Sequence, residues 1–274
     1  LSYLIGFSEW AMRFPAALSG VLTVIATYLL GKEFYNRRTG LFSGVIGMAA
    51  FQFLFQSRIA ELDVVLTLLM LLSLGLFYRG SRSGNRNYYL GMYFPMAAGM
   101  LVKGMLAVAL PSFAIFLFLL FKKELTKIRQ IRPIWGMIVL VVLGLPWYIV
   151  EYLRHGQPFL DFALGFLFLA RFQGVVAGHP GPWYYYFPAL LLGFAPWSQF
   201  LPFSLWLALK NWRNDPELLM LSFALPALIV FSIAKTKIPN YILPLYPYLA
   251  IMVGNLWDQF LLSPRKYFRG MAIS

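Results

Sequence analysis

YYLGMYFPMAAGMLVKGMLAVALPSFAIFLFLLF, residues 88–121, is apolar almost throughout and carries a single charge, Lys103. As one helix its 34 residues would extend ~51 Å at about 1.5 Å per residue. A hydrocarbon core is only about 30 Å thick, and tilting does not absorb that excess. Lys103-Gly104 lies near the middle and breaks the run into a hairpin of two short spans, which leaves Lys103 at or just below the membrane surface.

Segments of the same kind lie on both sides of this hairpin. Residues 15–31, 40–56 and 64–78 precede it, and 133–152, 184–209, 217–234 and 241–262 follow it. With 88–102 and 105–121 they make nine apolar segments of membrane-crossing or nearly membrane-crossing length. The chain therefore reads as all-α, a polytopic transmembrane helical bundle forming a single unit over 1–274. The composition agrees. Hydrophobic residues make up 60% of the 274, charged residues 12%, and the mean hydropathy is +0.70. A soluble domain carries about 25% charged residues, and disorder requires low hydrophobicity with high charge. Cysteine is absent, which excludes disulfides, cysteine metal sites and thiol chemistry.

Orientation follows from the basic residues. Alternate connections hold Lys32, Arg37, Arg38, Arg79, Arg82, Arg86, Lys122, Lys123, Lys127, Arg129, Arg132, Lys210, Arg213, Arg265, Lys266 and Arg269, which is 16 of the 23 Lys and Arg. The other connections hold the remaining 7: Arg13, Arg58, Lys103, Arg154, Arg171, Lys235 and Lys237. The richer side is expected to be cytoplasmic. The net charge of +13 is then a topology signal, and no motif for RNA or DNA accompanies it.

The outer side carries the one long connection, 153–183. Within it 159–172 is apolar nearly all round but too short to span, so an interfacial or re-entrant helix is expected. Trp183-Tyr184-Tyr185-Tyr186 marks a membrane interface. Ionisable groups near hydrocarbon are costly and usually face a cavity or one another. Arg58 and Asp63 share a tight turn, Lys103 breaks the hairpin, Arg171 closes the interfacial segment, and Lys237 lies in the turn before Tyr241. Cations with few carboxylates suit a phosphate-bearing ligand. The plainer reading gives Arg13 and Arg154 to snorkelling, Arg58–Asp63 to a turn-steadying ion pair, and His155 and His179 to loops. Glu151 and Asp161 read as solvated.

Six motifs in order then carry a resemblance. Phe7-Ser8-Glu9-Trp10-Ala11-Met12-Arg13-Phe14-Pro15, Ser57-Arg58-Ile59-Ala60-Glu61-Leu62-Asp63 and Leu101-Val102-Lys103-Gly104 are the first three. Arg171-Phe172 with His179 and Pro182-Trp183-Tyr184-Tyr185, Gly193-Phe194-Ala195-Pro196-Trp197, and Lys237-Ile238-Pro239-Asn240-Tyr241-Ile242-Leu243-Pro244 follow. Together they resemble the ArnT-like, protein-mannosyltransferase-related glycosyltransferases of the GT-C class, over essentially the whole chain.

The resemblance implies an integral membrane glycosyltransferase, of the bacterial inner (plasma) membrane, with an extracytoplasmic active face. It would transfer a sugar from a polyprenyl-phosphate carrier to a lipid A-like, glycan or protein acceptor. Arg171 and Tyr241 would hold the carrier phosphate, Lys103 and Lys237 would add positive charge, and Asp63 would line the cavity as a carboxylate; Arg58, another of the outer cations, is expected to gather with them at the phosphate. The family's principal catalytic aspartate and a phosphate-binding lysine would precede Leu1, so the sequence is expected to be a fragment lacking the first span and first outer loop, inactive alone. Leu169-Ala170 stands where family members often have Glu-His or Glu-Asn before the loop arginine. No cofactor is assigned; the family's chemistry leaves room for a divalent metal, for which no residue is named. The alternative is a lipid-linked sugar flippase or other transporter. That reading expects mid-membrane charges and inverted repeats, whereas the outer charges here cluster at span ends. A membrane scaffold ranks third.

Overall fold

The computed structural model describes residues 8–161, 163 and 180–262. Ser8 opens the first helix, its hydroxyl accepting from the Ala11 amide at 3.2 Å, as an N-cap should. In chain order the helices are α1 Glu9–Phe34, α2 Arg37–Ala49, α3 Phe51–Gln56, α4 Asp63–Ser83, α5 Arg86–Gly91, α6 Tyr93–Lys103 and α7 Leu106–Phe121. Next come a 3-10 segment Leu125–Ile131, α8 Pro133–Val139, a π turn Leu140–Gly144, α9 Leu145–His155 and α10 Gln157–Leu160. The series ends with α11 Tyr186–Gly193, a 3-10 turn Trp197–Phe200, α12 Leu201–Lys210, α13 Asp215–Ile233, a 3-10 turn Pro239–Leu245 and α14 Tyr246–Leu262.

Each of the nine apolar segments is helical, but not all are single rods. Among the described residues, Glu9–Phe34, Asp63–Ser83, Pro133–His155 and Asp215–Ile233 are long and apolar enough to cross a membrane unaided. The segment at 184–209 is bent by 116° between Tyr186–Gly193 and Trp197–Lys210, where Pro196, which has no N–H to donate, stands between the two. It still joins the two ends of the bundle. Tyr186 lies beside Ile238, whose amide donates to its phenol at 3.4 Å. Lys210 lies one short turn from Asp215, which pairs with Lys122 at 2.8 Å. The segment at 40–56 is likewise divided, at Ala50. The two interruptions face each other. The Phe51 amide donates to the Ala195 carbonyl at 3.0 Å, so each break satisfies a backbone group freed by the other, as a membrane interior requires.

α4 runs through the centre, packed against α1, α6, α7 and the Pro239–Leu245 turn. α1, α2 and α14 approach closely along small residues. A Cβ on Gly254 would come within 2.6 Å of Ser43 Oγ and 2.9 Å of Ser43 N. Such seams allow backbones to pack tightly where hydrocarbon gives no hydrophobic drive. The basic-rich end is tied by polar contacts. Asp258 of α14, 2% exposed, accepts from Asn36 Nδ2 at 2.6 Å and Thr39 Oγ1 at 3.3 Å. Arg79 pairs with Glu33 at 2.6 Å. Pro133–His155 is the least enclosed of the long helices and presents Ile134, Met137, Val142 and Leu153 outward, as a lipid-facing helix would.

Candidate functional site at the basic-poor end

Asp63 and Lys103 meet here. Asp63 is the first residue of α4 and Lys103 the last of α6, and these helices run antiparallel. A carboxylate favours a helix N-terminus and an ammonium a helix C-terminus, so each charge suits its own helix. The chain turns away from Lys103 at Gly104, whose φ of +71° is open to glycine without penalty. There the Gly104 amide and the Tyr148 hydroxyl both donate to the Met100 carbonyl, each at 2.8 Å. Lys103 Nζ donates to Asp63 Oδ1 with both side chains mostly buried. It also stands 5.3 Å from the centre of the Tyr241 ring, within cation–π reach.

From Tyr241 an aromatic run crosses the end of the bundle. Tyr241 lies 5.6 Å from Phe231 and Phe231 lies 6.3 Å from Tyr186, centre to centre. Lys237 Nζ sits 5.5 Å over the Tyr186 ring at the far side. The two lysines thus flank three rings and do not touch. Lys237 is buried and its ammonium donates to the Phe231 carbonyl at 2.9 Å and to that of Ser232. These carbonyls belong to the last turn of α13, which has no intrahelical donors for them. Burial pulls the Lys237 amine below its ordinary value.

The long connection returns onto this lysine. Pro180 bridges to Thr236, and a Cβ on Gly181 would fall 2.6 Å from Lys237 Cγ. Beside it lies an apolar groove of about 380 Å³. Trp183, Tyr184, Phe187 and Leu228 line it, together with Tyr186 and Ser232.

The other expected residues are placed differently. Arg58 is exposed in the turn after α3 and, among the described residues, has no ion pair with Asp63. Arg171, His179 and most of the expected interfacial helix 159–172 lie outside the described residues. Among those described, no three His, Cys, Asp or Glu side chains gather in the manner of a metal site.

A polar cluster not singled out in the sequence adjoins Asp63. Asn240 Nδ2 donates to Glu61 Oε2. Asn240 Oδ1 accepts from Gln56 Nε2 and from Gln52 Nε2 at 3.3 Å, and Tyr246 donates to Gln52 Oε1 at 2.6 Å. Two glutamines four apart in the otherwise apolar Phe51–Gln56 were the available signal, because i and i+4 share a helix face and amides in hydrocarbon need partners.

Glu61 lies outside the spans. Desolvation, then the Asp63 charge, raise its carboxyl above the ordinary 4.5, with Lys103 opposing. A raised acid binds its proton more tightly in the native state, so its contribution to stability is complete below 4.5 and is lost as pH rises through the elevated native value. Thermal unfolding in detergent is expected to show this fall, and Glu61→Gln to flatten it; an identical slope in the variant would assign the fall to another group.

The model of the dolichyl-phosphate-mannose-protein mannosyltransferase family matches residues 1–150. An undecaprenyl phosphate-alpha-4-amino-4-deoxy-L-arabinose arabinosyl transferase of Yersinia enterocolitica is 31% identical over 261 residues, covering 92% of this chain and 46% of the relative. The structure of ArnT from Cupriavidus metallidurans bound to undecaprenyl phosphate superimposes with a TM-score of 0.85 at 26% identity, over 99% of this chain and 50% of that one. An oligosaccharyltransferase from Archaeoglobus fulgidus shares the fold, with a TM-score of 0.61 at 15% identity, over 96% of this chain and 41% of that one. The chain spans about half the length of the relatives it matches.

Proposed function

Since the chain belongs to the dolichyl-phosphate-mannose-protein mannosyltransferase family, we propose that it forms the membrane core of a glycosyltransferase that draws its sugar from a polyprenyl-phosphate carrier. The observation that carries this reading is the Asp63–Lys103 pair under Tyr241, joined by the aromatic run through Phe231 and Tyr186 to an apolar groove. The groove suits an isoprenoid chain, and the cationic end of the aromatic run suits its phosphate. The Cupriavidus relative, solved with undecaprenyl phosphate bound, supports the same carrier class.

In the proposed reaction an acceptor hydroxyl oxygen attacks the anomeric carbon of the sugar. The bond from that carbon to the carrier phosphate oxygen breaks, and its electron pair stays on the phosphate. Negative charge grows there in the transition state, where prepositioned donors in a water-poor site are most effective. Lys103 and Tyr241 meet that oxygen, the family resemblance adds Arg171 as a further ligand, and Lys237 and Arg58 add positive field. Asp63 lines the cavity and orients Lys103. The hydroxyl proton passes to a carboxylate, which the family resemblance puts in the first outer loop. The acceptor belongs to the classes that the family resemblance implies, a lipid A-like lipid, a glycan or a protein. The excess of Lys and Arg on the opposite end orients this site away from the cytoplasm of a bacterial inner membrane.

The test uses the full-length protein. Undecaprenyl phosphate should raise its unfolding temperature and undecaprenol should not. Tyr241→Phe should weaken that binding about 10- to 100-fold, the worth of a hydrogen bond to a charged group. Equal binding of alcohol and phosphate, or wild-type affinity in the variant, would remove the phosphate site. Passage of the lipid-linked sugar across vesicles without transfer would replace the enzyme by a transporter.

A further inference from the structure

The amide cluster beside Asp63 has a direction. Tyr246 donates to Gln52 Oε1, which leaves Gln52 Nε2 to face Asn240. Gln52 and Gln56 both donate into Asn240 Oδ1, so the Asn240 amide has only its N–H groups to offer on the other side. They meet Glu61. Tyr246 and Gln52 are buried, and in such surroundings a polar group left without its partner is costly.

This chain of bonds runs alongside the functional one. Glu61 is two residues from Asp63, and Asn240 is next to Tyr241. The turn after α3 and the Pro239–Leu245 turn are therefore joined by two rungs. One is Glu61–Asn240, and the other is Asp63–Lys103 with Lys103 under Tyr241. The first rung holds no residue assigned above to the carrier, yet it sets the spacing of the second. We infer that Glu61 and Asn240 are positioning residues, a tie that holds Tyr241 over Lys103 at the site for the carrier phosphate. The purpose of the tie rests on the function proposed above; the tie itself rests on the hydrogen bonds.

An exchange of the two groups tests it in the full-length protein, with undecaprenyl phosphate as the probe. Glu61→Ala should weaken binding about tenfold, roughly the loss of one hydrogen bond to a charged group. Glu61→Gln, which keeps an acceptor for Asn240, should bind within about twofold of wild type and leave the pH profile of transfer unchanged. Asn240→Asp should lose affinity, because two carboxylates then face each other. Glu61→Gln combined with Asn240→Asp restores a donor–acceptor pair with its sense reversed, and should recover both affinity and unfolding temperature. That recovery measures the coupling of the two positions. Additive losses in the double variant would overturn the tie. Loss of turnover in Glu61→Gln with binding intact would overturn it in favour of acid–base chemistry at Glu61. Unchanged binding in Glu61→Ala, with Tyr241→Phe impaired, would overturn the tie and leave the carrier site standing. A wild-type protein that does not bind undecaprenyl phosphate would overturn the carrier site and, with it, the purpose assigned to the tie.

Discussion

Lys103→Ala is expected to reduce sugar transfer about 10²- to 10³-fold, the usual consequence of removing one donor from a site where charge develops. It should also destabilise the protein. Lys103 and Asp63 are mostly enclosed, and deleting one partner of a buried ion pair costs about 3–5 kcal/mol because the other charge is left behind. The two effects separate in Lys103→Ala combined with Asp63→Asn. The neutral amide needs no counter-ion, so the unfolding temperature should return most of the way while transfer stays low. If transfer returned with the fold, Lys103 would be no more than the counter-ion of Asp63. Thermal unfolding in detergent and turnover on the same preparations decide the matter.

Lys237→Met should behave in the opposite manner. Its ammonium closes the end of α13 on the Phe231 and Ser232 carbonyls, and each buried acceptor left without a donor costs about 1–3 kcal/mol. The main loss is therefore expected in unfolding temperature, with carrier affinity falling only modestly through the weakened field. Binding of undecaprenyl phosphate to the folded fraction is the discriminating measurement. A normal unfolding temperature with binding abolished would make Lys237 a direct ligand of the phosphate.

These contrasting expectations show where the sequence was legible. The break at Lys103-Gly104 followed from length alone, since no single helix of residues 88–121 fits a bilayer, and the structure turns there. Length and hydropathy also located the other apolar segments, because those properties are local sums. Whether a segment is straight or broken was less visible. Pro196 stands at the bend between α11 and α12, whereas the break at Ala50 has no such mark and is completed by Ala195, far along the chain.

Of the candidate site, conspicuous single residues were legible and their arrangement was not. Lys103 and Asp63 stand 40 positions apart and Asn240 and Glu61 stand 179 apart, and nothing in either local sequence names the partner. Lys237 stood out for its charge, whereas its carbonyl partners follow from how α13 ends. Arg58 was equally conspicuous and remains exposed, since a cation in a surface turn gains enough from water to need no partner.

The return of the long connection has a consequence of its own. At Gly181 the backbone rests directly against the aliphatic stem of Lys237, with no room for even a methyl group. At this step any added carbon must push on the lysine that seals α13. The connection and the helix end are thereby coupled at Gly181, and a disturbance at either is felt at the other.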